Sequence, residues 1–152
     1  MEKKKLLIYI AAGLLLLGMI MSFTKVFNAT MSYGGRSESE GGSMGDMKVT
    51  WAMILIIIVD LVGIACLLLP TFGIMADKEA LFFKVAMGAA ALSFLLFLIA
   101  FFVGKGGDVG KAMDLVKAMG GKAGVHIGFT GWLVMIFHLG AGACAFLASK
   151  EE

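Results

Sequence analysis

Two ionisable residues interrupt the most apolar parts of the chain. Asp60 stands in "MILIIIVDLVGIACLLLP", Met53–Pro70, which holds no other charge. His138 stands in "LVMIFHLGAGACAFL", Leu133–Leu147, in the same isolation. A carboxylate and an imidazole can share one proton near neutral pH. Such a pair can serve as a polar clasp that fixes helix packing, or as a relay for protons or cations. No acidic ring or broken helix accompanies it, so the clasp is the first reading and the relay the alternative. Group-transfer or hydrolytic chemistry lacks its parts. Asp60 and His138 come without a nucleophile, a phosphate-binding glycine loop or metal-ligand spacing. The chain is therefore expected not to be an enzyme and to hold no cofactor.

Other reactive residue types give weaker signals. Cys66 and Cys144 both lie in apolar runs, and there is no C-x-x-C, so both read as small buried apolar residues. Met44-Gly45-Asp46-Met47, among twelve methionines, offers thioethers that suit Cu(I). Most methionines fall in apolar runs as filler, so copper handling is a distant third reading and no metal site is assigned. His126 reads as an interfacial histidine. Asn28-Ala29-Thr30 matches a glycosylation sequon, a triplet common by chance.

The elements that must position Asp60 and His138 follow from composition. The 152 residues are 60% hydrophobic with mean hydropathy +0.95, against roughly 45–50% apolar in soluble domains. The excess falls in four blocks, about Leu6–Phe23, Val49–Leu69, Ala80–Val103 and Val125–Ser149. Each has the length that crosses a hydrocarbon core of roughly 30 Å as a helix, and backbone groups in lipid must bond internally. The fold class expected is all-α: a polytopic integral membrane protein, one domain over residues 1–152, with four transmembrane helices in a compact bundle. The basic start "MEKKK" resembles a signal peptide, but the apolar run is long and no A-x-A site follows, so an uncleaved first helix is expected.

The connections read differently from one another. Thr24–Lys48 contains "SYGGRSESEGGSMGDMK", which reads as a flexible solvated loop. "PTFGIMADKEA" reads as a short turn. Asp108–Met119 places Val109, Ala112, Met113, Val116 and Met119 on one helical stripe, with Lys111 and Lys117 off it. That pattern fits a helix on the membrane surface whose lysines reach headgroups, or a helix that caps the bundle.

Small residues mark candidate packing faces. Gly128, Gly131, His138, Gly142 and Ala145 follow three-and-four spacing, and Gly63 lies one turn from Asp60. Val134 is assigned to the lipid-facing side. Leu55–Leu69 and Leu133–Leu147 align with Asp60 set against His138, which suggests two repeated helical hairpins. Trp51 and Trp132 sit near the outer ends of their spans as interfacial belt residues.

Net charge is +2 and points to no nucleic-acid partner. Lys3, Lys4, Lys5, Lys78, Lys84 and Lys150 fall on one side, six of the thirteen basic residues. The other seven are Lys25, Arg36, Lys48, Lys105, Lys111, Lys117 and Lys122. The near tie is decided by the Lys3–Lys5 cluster, which places both termini inside a plasma membrane. The function expected is non-enzymatic: assembly as a homo-oligomer, or as an accessory subunit of a larger membrane complex, in contact with the bilayer. A small proton or cation channel or transporter using Asp60 and His138 is the alternative.

Overall fold

The structure, a computed structural model, describes residues Glu2–Glu151. Four helices are long and apolar enough to cross a membrane. They are α1 (Glu2–Met21), α2 (Thr50–Thr71), α3 (Glu79–Lys105) and α5 (Phe129–Lys150). At about 1.5 Å per residue, their 20 to 27 residues reach about 30–40 Å. A shorter helix, α4 (Asp108–Ala118), and three strands complete the fold: β1 (Phe27–Tyr33), β2 (Arg36–Gly42) and β3 (Lys122–Ile127).

The strands correct the all-α expectation. Thr24–Lys48 is not a flexible loop but carries a hairpin, and β3 joins it to give the sheet order β2-β1-β3, antiparallel throughout. The hairpin turns at Gly34 and Gly35, with φ of 58° and 80°. Positive φ at both central residues is the two-residue turn whose twist matches a hairpin, and glycine adopts it without strain. Strand "FNATMSY" alternates strictly. Phe27, Ala29 and Met31 pair with Ile127, Val125 and Ala123 to form an apolar face. Asn28, Thr30 and Ser32 form the polar one.

The fourth apolar block is also divided. Val125–Ile127 belongs to β3, and α5 begins only at Phe129 after Gly128. The Gly128 N–H bonds Val26 O at 2.9 Å, which ties the start of α5 to the segment entering β1. Pro70 lies inside the last turn of α2, and the chain reverses at Gly73, φ 82°.

Each long helix packs against two others: α1 on α2 and α5, and α3 on α2 and α5. The result is a closed ring in which α2 and α5 face each other across the centre. Lys3 Nζ pairs with Glu151 Oε1 at 2.8 Å, so the described chain ends meet at the end of the ring opposite the sheet. Two apolar clusters fill the interior. One lies toward the sheet and includes Phe27, Met44, Met47, Ile56, Phe97 and Val134. The other lies toward the chain ends and includes Leu15, Leu67, Phe83, Ala90 and Ala145. Val134 is fully buried, which overturns its assignment to the lipid-facing side.

The short helix α4 packs on β3, on the end of α3 and on β1. Met113 is buried in the sheet-side cluster and Val109 packs against it. Lys111 and Lys117 are exposed on its outer side, together with Leu115 and Met119.

Candidate functional site

Between the two apolar clusters lies a thin polar layer, and each of the four long helices contributes one position to it. In α2 the buried positions run Ile56, Asp60, Gly63, Leu67, at four-three-four spacing. In α5 they run Gly131, Val134, His138, Ala141, Ala145. In α3 Ser93 lies between Ala90 and Phe97, and in α1 Gly18 lies one turn beyond Leu15. This three-and-four spacing is the stripe that a helix turns to its neighbours. The apolar periodicity that buries each helix therefore also aims Asp60, Ser93 and His138 at the centre.

The geometry is closed. His138 Nε2 lies 2.7 Å from Asp60 Oδ2, and Ser93 Oγ donates to Asp60 Oδ1 at 2.6 Å. His138 Nδ1 lies 2.7 Å from the carbonyl oxygen of Val134, one turn back on the same helix. All three side chains are fully buried. Among the described residues no buried side-chain nitrogen or oxygen lacks a hydrogen-bond partner.

These contacts fix the proton inventory. A carbonyl oxygen only accepts, so His138 Nδ1 must carry its hydrogen. The remaining contact, Nε2 to Oδ2, needs one proton between its two atoms. Imidazolium with carboxylate and neutral imidazole with carboxylic acid are the two descriptions, and both have zero net charge. The layer is thus neutral as a unit, which is the arrangement a low-dielectric interior tolerates. Gly18 completes it by absence. A Cβ placed there would stand 2.7 Å from His138 Cε1 and 3.0 Å from Nδ1. The imidazole fits only because α1 has no side chain at this position.

Of the residues singled out in the sequence, the structure brings Asp60 and His138 together within one chain. Gly63 is buried and faces Leu15 and Ala89, where a Cβ would meet side-chain carbons at 3.0 and 3.1 Å. Gly131 is tighter, with Val26 O at 2.3 Å from its hypothetical Cβ. A Cβ on Gly128 would stand 3.4 Å from the same oxygen, and one on Gly142 would meet Ala90 Cβ at an ordinary 3.5 Å. Lys111 and Lys117 take no part in this layer and are exposed on α4, which packs on the sheet. Met44 and Met47 are buried beneath the sheet among Phe27, Phe97 and Phe101. Cys66 and Cys144 are half-buried and unpaired, His126 is exposed on the polar side of β3, and Trp51 and Trp132 are exposed near the sheet-side end of their helices.

Two members of the layer were not anticipated. Ser93 had a signal: it is the only hydrogen-bonding side chain between Lys84 and Lys105, and it sits midway. Gly18 had none, because nothing local separates a glycine that admits a ring from one that faces outward. Comparison with known proteins finds no matching family, no matching curated protein and no matching solved structure.

Proposed function

We propose that the chain is a multi-pass integral membrane protein, a four-helix bundle closed by the Asp60–His138–Ser93 clasp. In this reading it is not an enzyme. It acts by assembly, as a homo-oligomer or as an accessory subunit of a membrane complex, and it presents the sheet and α4 on one side of the bilayer. The Lys3–Lys5 cluster supports an orientation with both termini in the cytoplasm and the sheet outside. One observation carries the clasp reading. The polar layer is satisfied inside a single chain and is sandwiched between apolar clusters, with Ile56, Phe97 and Val134 on one side and Leu15, Leu67 and Ala90 on the other. A conducting path needs polar or hydrated lining to both ends, and these side chains line neither.

The relay remains the second reading, favoured by the one proton held between Asp60 and His138. Purified protein in liposomes separates the two. A clasp gives no proton flux in the wild type, and Asp60→Asn keeps the folded particle, because an amide can still hydrogen-bond both neighbours. Proton flux that disappears in Asp60→Asn would establish the relay instead. Light scattering of the detergent-solubilised particle tests assembly. A protein mass of 16.1 kDa, with no second chain copurifying from gently solubilised membranes, would end that reading. For orientation, cysteines at Ser39 and Asp77 are offered to an impermeant reagent on intact cells, in a chain without Cys66 and Cys144. Labelling at 77 alone would invert the topology.

A further inference from the structure

The end of the molecule opposite the sheet carries a feature that the polar layer does not use. A cavity of about 570 Å³ opens there among the first turns of α1 and α3 and the last turns of α5. Its floor is apolar, made by Phe83, Met87 and Phe146. Its rim is cationic, made by Lys4, Lys84 and Lys150. Among the described residues of the lining the one carboxylate, Glu79, is paired with Lys4. Three cations against one anion leave these described residues at +2.

Two of the three lysine heads lie over rings of the floor. Lys4 Nζ lies 5.6 Å above the Phe83 ring and Lys150 Nζ 5.3 Å above the Phe146 ring, distances at which the ring face attracts a cation. Neither Lys84 nor Lys150 has a carboxylate partner among the described residues. Cationic groups therefore ring an aromatic surface at the level where α3 and α5 begin or end.

We propose that this cavity binds one anionic phospholipid. The headgroup phosphate lies between Lys84 and Lys150, and the first part of an acyl chain covers Phe83, Met87 and Phe146. The proposal rests on the reading that the long helices span a bilayer. The lining itself selects this occupant. A free phosphate or an acidic peptide would use the rim and leave the aromatic floor against water. A zwitterionic lipid would use the floor and leave the net +2 unanswered. An anionic lipid covers the floor and offsets part of that charge, and basic pockets between membrane helices take such headgroups.

The test uses the full chain in detergent micelles. Native mass spectrometry follows titration with phosphatidylglycerol, phosphatidylcholine of the same acyl chains, or inorganic phosphate. The wild type should prefer phosphatidylglycerol. Lys84→Gln with Lys150→Gln should weaken that binding about 25-fold, at about fivefold per lysine. The charge-matched pair Lys25→Gln with Lys122→Gln, at the other end, should leave it unchanged. Phe146→Ser should weaken it with no change of charge. Equal binding of the two lipids, equal loss in the control pair, or full displacement by equimolar inorganic phosphate would each overturn the site. Alkaline carbonate extraction reads the underlying assumption separately. A chain released from the membrane fraction defeats the spanning reading, whereas one retained there without lipid preference defeats the lipid site alone.

Discussion

Gly18 and Gly13 lie five residues apart on α1 and make a matched experiment. Changing either to alanine adds one methyl group and gains up to about 1 kcal/mol of helix propensity. At Gly13 nothing stands within 4 Å of the new carbon, so that gain is the whole expected effect. At Gly18 the carbon would stand 2.7 Å from His138 Cε1. An ordinary contact needs about 3.5–4.0 Å, so the ring must retreat by about 1 Å. It has little freedom to do so, because its two nitrogens are held at 2.7 Å by Val134 O and Asp60 Oδ2. Overpacking costs about 1–3 kcal/mol, and stretching a hydrogen bond to a charged group forfeits up to about 1.5–3 kcal/mol. Less the propensity gain, Gly18→Ala should lose about 2–4 kcal/mol. At about 2–4 °C per kcal/mol for a chain of this size, that lowers Tm by roughly 4–16 °C. The assay is thermal unfolding in one detergent, read by fluorescence-detected gel filtration. In a His138→Ala background the Gly18→Ala penalty should vanish, because the ring is gone. Equal Tm for Gly13→Ala and Gly18→Ala, or an undiminished penalty without the imidazole, would show that Gly18 does not seat the ring.

Three further outcomes follow from the same geometry. Asp60→Ala and His138→Ala should each cost about 3–5 kcal/mol by stranding a buried partner, while the double variant costs less than their sum; a double-mutant cycle measured by chemical denaturation that shows additivity would deny the coupling. Gly131→Ala should lose about 1–3 kcal/mol, because its Cβ would strike Val26 O at 2.3 Å, whereas Gly142→Ala, at an ordinary 3.5 Å from Ala90, should gain up to about 1 kcal/mol of helix propensity; equal melting points would contradict the packing. The Asp108 carboxyl is held below its usual range by the hydrogen bond and charge of Lys48. Its stabilisation is therefore present from neutral pH down to the usual carboxylate range and is lost as pH falls through its lowered value. Amide exchange at the start of α4 should accelerate in acid relative to the rest of the helix, and Asp108→Asn should remove that acid dependence.

The four long helices were readable because sustained hydrophobicity leaves the backbone few alternatives. Asp60 and His138 stood out for a related reason: an ionisable group in an apolar run is costly, so it must have a partner at its own depth. The sheet was missed through composition. Gly, Ser and charge dominate Arg36–Gly42, yet "FNATMSY" alternates and is followed by Gly-Gly, which together mark a hairpin. β3 was harder, because Val125 and Ile127 merge with the apolar run of α5 and their pairing partners lie almost a hundred residues earlier in the chain. Val134 was misplaced against its own spacing, since four residues before His138 is one helical turn and the same face. Ser93 illustrates a threshold. A hydroxyl in an apolar helix can bond its own backbone, so it signals a partner less insistently than a carboxylate does.

The order in which the chain is made gives the ring closure a consequence for biogenesis. Asp60 and Ser93 are 33 residues apart and can meet while synthesis continues, but His138 lies 78 residues beyond Asp60. β1 likewise presents an open edge until Lys122–Ile127 emerges. The last long segment thus locks two interfaces together, one in the apolar interior and one at the surface. Until it arrives, the nascent chain holds a half-coordinated acid and an unpaired strand, the exposed features by which an incomplete protein misassembles or is retained by chaperones. Fidelity of folding therefore converges on α5, and a fault in that helix should halt maturation at a recognisable three-helix intermediate.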